Sequence, residues 1–220
     1  MLVLASASPR RQELLRNAGI SFTVQAADVD ETPRPGESPR ECAERLAKEK
    51  AVAVWQRLRQ DMVLGADTIV VVDNRILGKP ADADDAARML RLLSGRVHQV
   101  ITGVCLINPV ASGQLPVASE PQVASGKVRG GSMNPTLEGR SRNAAFQLKV
   151  ASETTLVTMS ELSEEDIRGY IATNEPMDKA GAYAIQGRAS RWIPRIEGDY
   201  SNVVGLPVAL VYRMLQGERG

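Results

Sequence analysis

The stretch MVLGADTIVVV, residues 62–72, is the most strand-like segment of the chain. It is continuously apolar and β-branched except at Gly65, Asp67 and Thr68, and the Asp73-Asn74 pair that follows is typical of a turn. An isolated carboxylate inside an apolar strand is costly unless it is paired or lies at a cleft. We therefore expect an interior strand in which Asp67 has a functional role.

Two further strands and two helices are predicted before this strand. Ser8 supplies an N-cap hydroxyl and Pro9 the first helical position, while Ser38 and Glu41 form a capping box. The predicted elements are a strand at 2–5, a helix from Pro9 to a glycine stop at Gly19, a strand at 21–27, a loop at 28–37 and a helix from 39 to about 60.

The second half of the chain alternates patterned and unpatterned segments. Residues 108–149 are rich in Pro, Gly, Ser, Ala and basic residues without clear periodicity, which predicts a flexible insertion. The remaining predicted elements are a helix within 81–95, a strand at 97–107, a strand at 152–159, a helix from Ser163 to about Thr173 and a C-terminal helix from Pro207 to Gly217.

Composition and charge limit the classes of function. The chain has 220 residues, 43% of them hydrophobic and 24% charged, which is typical of an ordinary globular protein. A net charge of +1 gives no long-range field for nucleic acid or membranes, so a bound anion must be held by a local cluster. Two separated cysteines, and the lack of a leader or apolar span, favour a cytoplasmic protein. Residues 1–220 are expected to form one domain.

The segment SASPRR, residues 6–11, lies where a strand turns into a helix. A helix N-terminus presents unpaired N–H groups and a positive dipole, so hydroxyls and guanidinium groups there favour a phosphate. The alternative is that Ser8 only caps the helix while Arg10 and Arg11 are solvated. The P-loop and dinucleotide-binding fingerprints are missing from the sequence, so the phosphate site is of another kind.

Other candidate residues are weaker when each is taken alone. Lys50 and Lys79 are basic residues in structured surroundings, although single lysines are usually solvated. Asp30 and Glu31 either share a divalent cation with Asp67 or belong to a solvated acidic loop. The lone histidine, His98, is assigned a structural role. A further group within small and glycine-rich sequence is typical of a ligand-contacting loop: Asp178, Lys179, Tyr183 and Gln186.

Taken together and in chain order, these segments resemble the Maf family of nucleoside triphosphate pyrophosphatases. The segments that carry the resemblance are ASASPRRQELL, RLAKEKA, VLGADTIVV, GKP, SGRVHQVITGV, MDKAGAYAIQG and GDYSNVVGLPV. The resemblance implies an α/β fold with an elongated mixed sheet flanked by helices, and two lobes around a cleft as in inosine triphosphatase. It also implies hydrolysis of a nucleoside triphosphate to the monophosphate and pyrophosphate.

The resemblance implies roles for nine residues. Asp67 corresponds to the proposed general base, and Glu31 to its partner in holding a divalent cation, Mg²⁺ or Mn²⁺. Ser8, Arg11, Lys50 and Lys79 match positions that hold the triphosphate and stabilise the leaving pyrophosphate. Arg10, Thr68 and Gln186 match positions associated with the choice of base.

The sequence leaves several functional alternatives open. The IQG that follows DKAGAY resembles the branch that acts on dTTP and UTP, with the 7-methyl-GTP branch as an alternative. A nucleotide-binding regulator of septum formation is a second class of function, and a phosphatase that releases orthophosphate is a third. The expected partner is a nucleoside triphosphate rather than nucleic acid or a membrane. The oligomeric state is open, and a homodimer formed through the C-terminal helix is one arrangement.

Overall fold

The computed structural model describes residues 1–59, 61–110 and 145–217 of the 220-residue chain. Its helices are α1 (Pro9–Asn17), α2 (Pro39–Leu58), α3 (Ala83–Leu93), α4 (Glu164–Ile171), α5 (Tyr200–Val204) and α6 (Val208–Gln216). Its strands are β1 (Leu2–Leu4), β2 (Thr23–Val24), β3 (Met62–Val72), β4 (Arg75–Leu77), β5 (Val97–Val110), β6 (Ala145–Thr158) and β7 (Arg195–Glu197). Short 3-10 segments lie at Glu175–Asp178, Ala180–Ala182 and Arg188–Trp192.

The strands form one mixed sheet in the order β2-β1-β3-β5-β6-β7, with β4 paired to β3. β1 runs parallel to β2 and β3, and the other pairs are antiparallel. The two-residue turn between β3 and β4 is made by Asp73 and Asn74, both with positive φ, as the sequence predicts. The predicted α/β fold with a mixed sheet flanked by helices is therefore confirmed.

The central strand β3 is paired differently along its two edges. One edge pairs with β5 continuously over Val63–Val71. The other edge pairs with β1 at Met62–Leu64 and with β4 at Val70–Val72, which leaves a gap between the two pairings. Asp67 and Thr68 lie in this gap. A polar pair therefore occupies the one part of the strand where the second edge is not covered by another strand.

Separate clusters of apolar side chains make up the core. Helix α2 contributes Ala47 and Val54 to a cluster on one face of the sheet. Leu15 of α1 and Val211 of α6 belong to a second cluster, together with residues of β1 and β3. A third cluster unites α3, α4 and the 3-10 segments with the far end of the sheet, and it includes Leu90, Ile167, Tyr170, Tyr183 and Trp192.

Two glycines bring α2 unusually close to the sheet. A Cβ atom on Gly65 would lie 2.2 Å from the carbonyl oxygen of Ala47, and one on Gly103 would lie 2.2 Å from that of Ala43. Gly103 is paired with Asp67 across the β3–β5 ladder. The absence of side chains at both glycines therefore sets the distance between α2 and the strand that carries Asp67.

Several local predictions can be compared directly with the structure. The capping box predicted at Ser38 is formed, and Ser163 caps α4 as predicted, there too in a capping box, with Asp166. Ser8 precedes α1 as predicted, but its side chain makes no capping hydrogen bond, so the expectation of an N-cap hydroxyl there is wrong. The predicted strand at 21–27 is also wrong in extent, because only Thr23–Val24 pairs with β1.

The predicted insertion at 108–149 is too wide at both ends. Asn108, Pro109 and Val110 pair with Gln147, Phe146 and Ala145, so β5 and β6 continue into it as an antiparallel ladder. Residues 111–144, and with them the rest of that prediction, lie outside the described residues. In the part of the chain that the structure describes, no helix combines the length and apolarity that a membrane crossing requires.

Candidate active site

A cavity of about 760 Å³ lies at the gap in β3 and brings together every predicted site residue. Its walls come from the turn between β1 and α1, helix α2, strand β3, the loop after β4 and the segment before the last 3-10 turn. The predicted residues that line it are Ser8, Arg10, Arg11, Glu31, Lys50, Asp67, Thr68, Lys79 and Gln186.

Lys50 bridges the two predicted acidic residues. Its Nζ donates to Asp67 Oδ1 at 2.6 Å and to Glu31 Oε1 at 2.6 Å. The Lys50 and Asp67 side chains are about one-tenth exposed, whereas the Glu31 side chain is 46% exposed. The carboxylate that the sequence places inside an apolar strand is therefore paired, as the cost of burying an isolated charge requires.

The surroundings of Glu31 favour its ionised form. Partial burial by itself would raise the pKa of Glu31, but the hydrogen bond from Lys50 and the charges of Lys50 and Lys79 outweigh it and lower that pKa. Lys79 Nζ lies 3.5 Å from Glu31 Oε2 and its side chain is 60% exposed. Lys79 therefore keeps most of its donor capacity for a ligand in the cavity.

Arg11 is more deeply engaged with the protein than the sequence indicates. Its Nε donates to Gly205 O at 2.8 Å, Nη1 to Ser6 Oγ at 3.1 Å and Nη2 to Thr68 Oγ1 at 3.1 Å. Burial lowers the pKa of Arg11, an effect that the nearby Asp67 charge partly opposes. Three of the five guanidinium N–H groups thus point at protein oxygens, and two remain for a ligand.

Thr68 belongs to a polar network that crosses the sheet. Its Oγ1 lies 2.9 Å from Thr102 Oγ1, and Thr102 donates to Asn202 O at 3.2 Å. The Asn202 amide donates in turn to Val100 O and to Thr155 Oγ1, both at 3.0 Å. This network ties α5 to β3, β5 and β6, and it holds the Thr68 hydroxyl on the face of β3 opposite Asp67.

The side chains of Arg10, Ser8 and Gln186 have no hydrogen-bond partner within residues 1–59, 61–110 and 145–217, although each lines the cavity. A guanidinium, a hydroxyl and an amide are therefore available to a ligand. The Ser8 hydroxyl makes no capping hydrogen bond to α1, so the helix does not compete with a ligand for it.

The loop that carries Glu31 is fastened by a pair that the sequence did not single out. Arg45 Nε and Nη2 donate to the two Glu37 oxygens at 2.6 and 2.9 Å, and Nη2 also donates to Thr32 O at 3.1 Å. The Arg45 hydrogen bond outweighs the opposing effect of burial and lowers the pKa of Glu37 to about 2. An arginine and a glutamate four positions apart on a helix, such as Arg45 and Glu49, usually form a surface ion pair. The sequence pattern therefore did not indicate the contacts of Arg45 with Glu37 and Thr32.

His98 and the two cysteines have the structural positions expected of them. His98 is 2% exposed and its Nε2 lies 2.8 Å from the Tyr183 hydroxyl. Burial lowers the pKa of His98 from 6.5 to about 4. Cys42 and Cys105 are buried and free of disulfide bonds.

The acidic residues suit a metal ion only in combination with a substrate. Asp30, the third candidate ligand, accepts from Thr32 N at 3.0 Å and does not line the cavity. No group of three or more His, Cys, Asp or Glu that could hold a metal occurs in the described residues. Mg²⁺ is commonly held by one or two carboxylates together with substrate phosphates and waters, and Asp67 and Glu31 fit that donor set.

The charge of the cavity favours a polyanion. Five basic side chains line it, against three acidic ones: Arg10, Arg11, Lys50, Lys79 and Lys179, against Glu31, Asp67 and Asp178. The cavity also includes Tyr183 and Gln186 from the glycine-rich segment, as predicted for a ligand-contacting loop. A phosphate chain fits this excess of basic side chains, and the Gln186 amide offers hydrogen bonds to a second group.

Comparison with known proteins gives consistent results along the whole chain. The Maf-like protein family model matches residues 1–218. The dTTP/UTP pyrophosphatase of Koribacter versatilis is 50% identical over 215 residues, which cover 98% of this chain and 93% of that relative. The dTTP/UTP pyrophosphatase of Symbiobacterium thermophilum is 49% identical over 214 residues, covering 97% and 92% of the two chains. Among solved structures, the Staphylococcus aureus Ham1 protein aligns over 99% of both chains with 15% identity and a TM-score of 0.42.

Proposed function

The chain belongs to the Maf-like protein family, and we propose that it hydrolyses dTTP and UTP to the nucleoside monophosphate and pyrophosphate. Relatives with about half of their residues identical carry the name dTTP/UTP pyrophosphatase. The observation that carries the proposal is the buried Lys50–Asp67 pair at the gap in β3, within a cavity whose charged lining residues are mainly basic.

Asp67 is the proposed general base. Its Oδ1 is held by Lys50, whereas Oδ2 has no hydrogen-bond partner within the described part of the chain. A water molecule that donates to Oδ2 loses its proton to the carboxylate as its oxygen attacks the α-phosphorus. The bond from the α-phosphorus to the bridging oxygen then breaks, and pyrophosphate leaves with the electron pair. Lys50 keeps the carboxylate oriented during this step.

The basic residues stabilise the charge that develops on the leaving pyrophosphate. Lys79 offers donors that the protein does not use fully, and Ser8 offers a hydroxyl near the start of α1 that has no partner among the described residues. Arg11 has two N–H groups left after its three contacts with the protein. Donors fixed in advance around the phosphates act more strongly than mobile water because they need not reorganise during the reaction.

Asp67 and Glu31 would hold a divalent cation, Mg²⁺ or Mn²⁺, together with the phosphates of the substrate. When bound, such an ion neutralises phosphate charge and makes the α-phosphorus easier to attack. Lys50 donates to one oxygen of each of these carboxylates, with both N–O distances at 2.6 Å.

Arg10, Thr68 and Gln186 are proposed to determine the choice of base. The Gln186 amide offers a donor and an acceptor, which match the O4 and N3–H edge of uracil or thymine. Thr68 is held by Arg11 and Thr102, so we propose that it acts by shaping the wall of the cavity. We expect a moderate preference for UTP over CTP, because an amide flip partly accommodates cytosine, and a stronger one over purines.

A pyrophosphate-release assay with UTP and magnesium tests the proposed reaction. UMP and pyrophosphate in equal amounts are expected, whereas UDP and orthophosphate would point to the phosphatase alternative. Comparison of kcat/KM for UTP, dTTP, CTP, ATP, GTP and 7-methyl-GTP tests the base. A purine at the head of this series would contradict the pyrimidine assignment and leave pyrophosphate release intact.

Two further parts of the proposal concern the cellular role. A regulator of septum formation without catalysis is the alternative class, but a carboxylate among phosphate-binding cations would only weaken a pure binding site. We propose a cytoplasmic location, which is supported by the buried Cys42 and Cys105, since neither forms a disulfide bond.

A further inference from the structure

The segment that carries Gln186 is held by two side chains outside the cavity. The Glu175 carboxylate accepts from Arg188 N, with Oε1 at 3.0 Å and Oε2 at 3.2 Å. The same Oε1 accepts from the Tyr170 hydroxyl at 2.8 Å, and Tyr170 Oη accepts in turn from Ala184 N at 3.2 Å. The backbone is therefore fastened two residues before and two residues after Gln186.

Gly187 lies directly against this carboxylate. A Cβ atom at Gly187 would be 1.9 Å from Glu175 Oε1 and 2.4 Å from its carboxyl carbon. The close approach lets the carboxylate reach the N–H of the next residue, Arg188. A side chain at position 187 would push the carboxylate away and break that contact.

The residues that fasten the segment are themselves rigidly placed. Tyr170 is fully buried in α4 and packs edge-on against Trp192, with ring centroids 5.5 Å apart. Burial raises the pKa of the Tyr170 hydroxyl, and the Glu175 carboxylate raises it further, so this hydroxyl stays protonated as a donor. On the N-terminal side, Tyr183 is 5% exposed and its hydroxyl contacts His98.

We propose that Glu175 is a positioning residue for recognition of the base, acting through the backbone on either side of Gln186. The inference rests on the proposed function, since it assumes that Gln186 reads the nucleobase. Glu175 and Tyr170 do not line the cavity, so neither is a ligand of the substrate. Without the carboxylate, the Arg188 N–H loses its acceptor and the segment samples other conformations, which spreads the positions of the Gln186 amide.

The test compares Glu175→Ala, Glu175→Gln and Gly187→Ala with the wild-type protein. We expect Glu175→Ala to lower kcat/KM for UTP about tenfold, mostly through KM, and to bring the UTP-to-CTP ratio close to one. Gly187→Ala displaces the same carboxylate, so it should reproduce these effects even if Glu175→Ala folds poorly. In the double variant the two effects should not add, because they remove one shared contact.

Two controls separate positioning from a general loss of structure. Glu175→Gln keeps an oxygen where Oε1 accepts both hydrogen bonds, so most of the UTP-to-CTP ratio should return. Glu165→Ala removes an exposed carboxylate from α4 that has no partner among the described residues, and it should change neither ratio nor KM. Ribose 5-triphosphate carries the phosphates without a base, so its hydrolysis should be equal in all variants.

The outcomes distinguish this inference from the proposed function. A wild-type protein that hydrolyses no UTP would overturn the proposed function and this inference with it. Active variants with an unchanged UTP-to-CTP ratio would overturn the inference alone. Parallel losses on UTP and ribose 5-triphosphate would also overturn it, because they would mean that Glu175 only supports the fold.

Discussion

The ammonium group of Lys50 donates to Asp67 Oδ1 at 2.6 Å, with both side chains about one-tenth exposed. Lys50 comes from α2 and Asp67 from β3, and Gly65 lets the two elements approach closely. Asp67 lies between the part of β3 that pairs with β1 and the part that pairs with β4, where this edge of β3 has no neighbouring strand. The contact therefore joins α2 to β3, neutralises the buried Asp67 charge and lies at the gap that opens onto the cavity.

Replacing Asp67 with Asn should abolish most turnover and leave the fold intact. The amide is nearly isosteric but accepts no proton from water, so kcat should fall by roughly 10²–10⁴-fold. Affinity for UTP without metal should stay equal or increase, because repulsion between carboxylate and phosphate is removed. Asp28→Asn, which makes the same charge change at an exposed position in the loop that carries Glu31, should leave kcat unchanged. Full turnover in Asp67→Asn would remove this residue from the mechanism.

Replacing Lys50 with Met should damage both stability and activity. It leaves Asp67 buried without its cation, which should lower the free energy of unfolding by about 3 kcal/mol. The pKa of Glu31 should rise, since the Lys50 hydrogen bond and charge are the largest of the effects that lower it. Denaturant unfolding and kcat measure the two effects. The double variant Lys50→Met/Asp67→Asn should recover stability without activity, and a double variant as unstable as the single one would argue against the pairing.

Replacing Gly65 with Ala should push α2 away from the sheet. The new Cβ would lie 2.2 Å from a backbone oxygen and 2.9 Å from Ala51 Cβ, neither of which moves without the helix. We expect a loss of about 1–3 kcal/mol in stability together with lower kcat, because Lys50 moves away from Asp67. Gly169→Ala is the matched control: nothing lies within 4 Å of its Cβ. That change in α4 should raise stability by up to about 1 kcal/mol. Equal stability of the two variants would contradict the close approach of α2.

Acidification should destabilise the protein through His98. Burial lowers the pKa of His98 to about 4 in the folded protein, against 6.5 for the exposed side chain. Between pH 6.5 and about 4, His98 is therefore protonated in the unfolded chain but not in the folded one. The free energy of unfolding should be highest above pH 6.5 and should fall as the pH drops toward 4. The loss should reach about 3 kcal/mol. His98 is the only histidine in the chain, so His98→Gln should flatten the profile between pH 6.5 and 5. An unchanged slope in that variant would assign the effect to other groups.

Much of the fold and site could be predicted because the signals are local. The apolar run 62–72 marks β3, and the capping residues Ser38 and Ser163 mark the starts of two helices. Asp67 stood out because a carboxylate in such a run must be paired or lie at a cleft. The residue motifs of the family supplied the rest of the cavity lining.

The errors came from features that depend on distant pairing. The short β2 is surrounded by residues with strand-like sequence, but only Thr23–Val24 has a neighbour, β1, to pair with. The ends of β5 and β6 contain Pro109 and polar residues, and only their mutual pairing makes them strands. Arg45 and Glu175 were not singled out because their roles consist of contacts with side-chain and backbone groups of other segments, which no residue pattern records.

Hydrolysis of UTP in water enriched in ¹⁸O tests the central claim most directly. If water attacks the α-phosphorus with Asp67 as base, one ¹⁸O atom should enter UMP, the pyrophosphate should be unlabelled, and Asp67→Asn should incorporate label roughly 10²–10⁴-fold more slowly. Mass spectrometry of the two products gives the answer. Label in the pyrophosphate, or release of UDP with labelled orthophosphate, would contradict attack at the α-phosphorus.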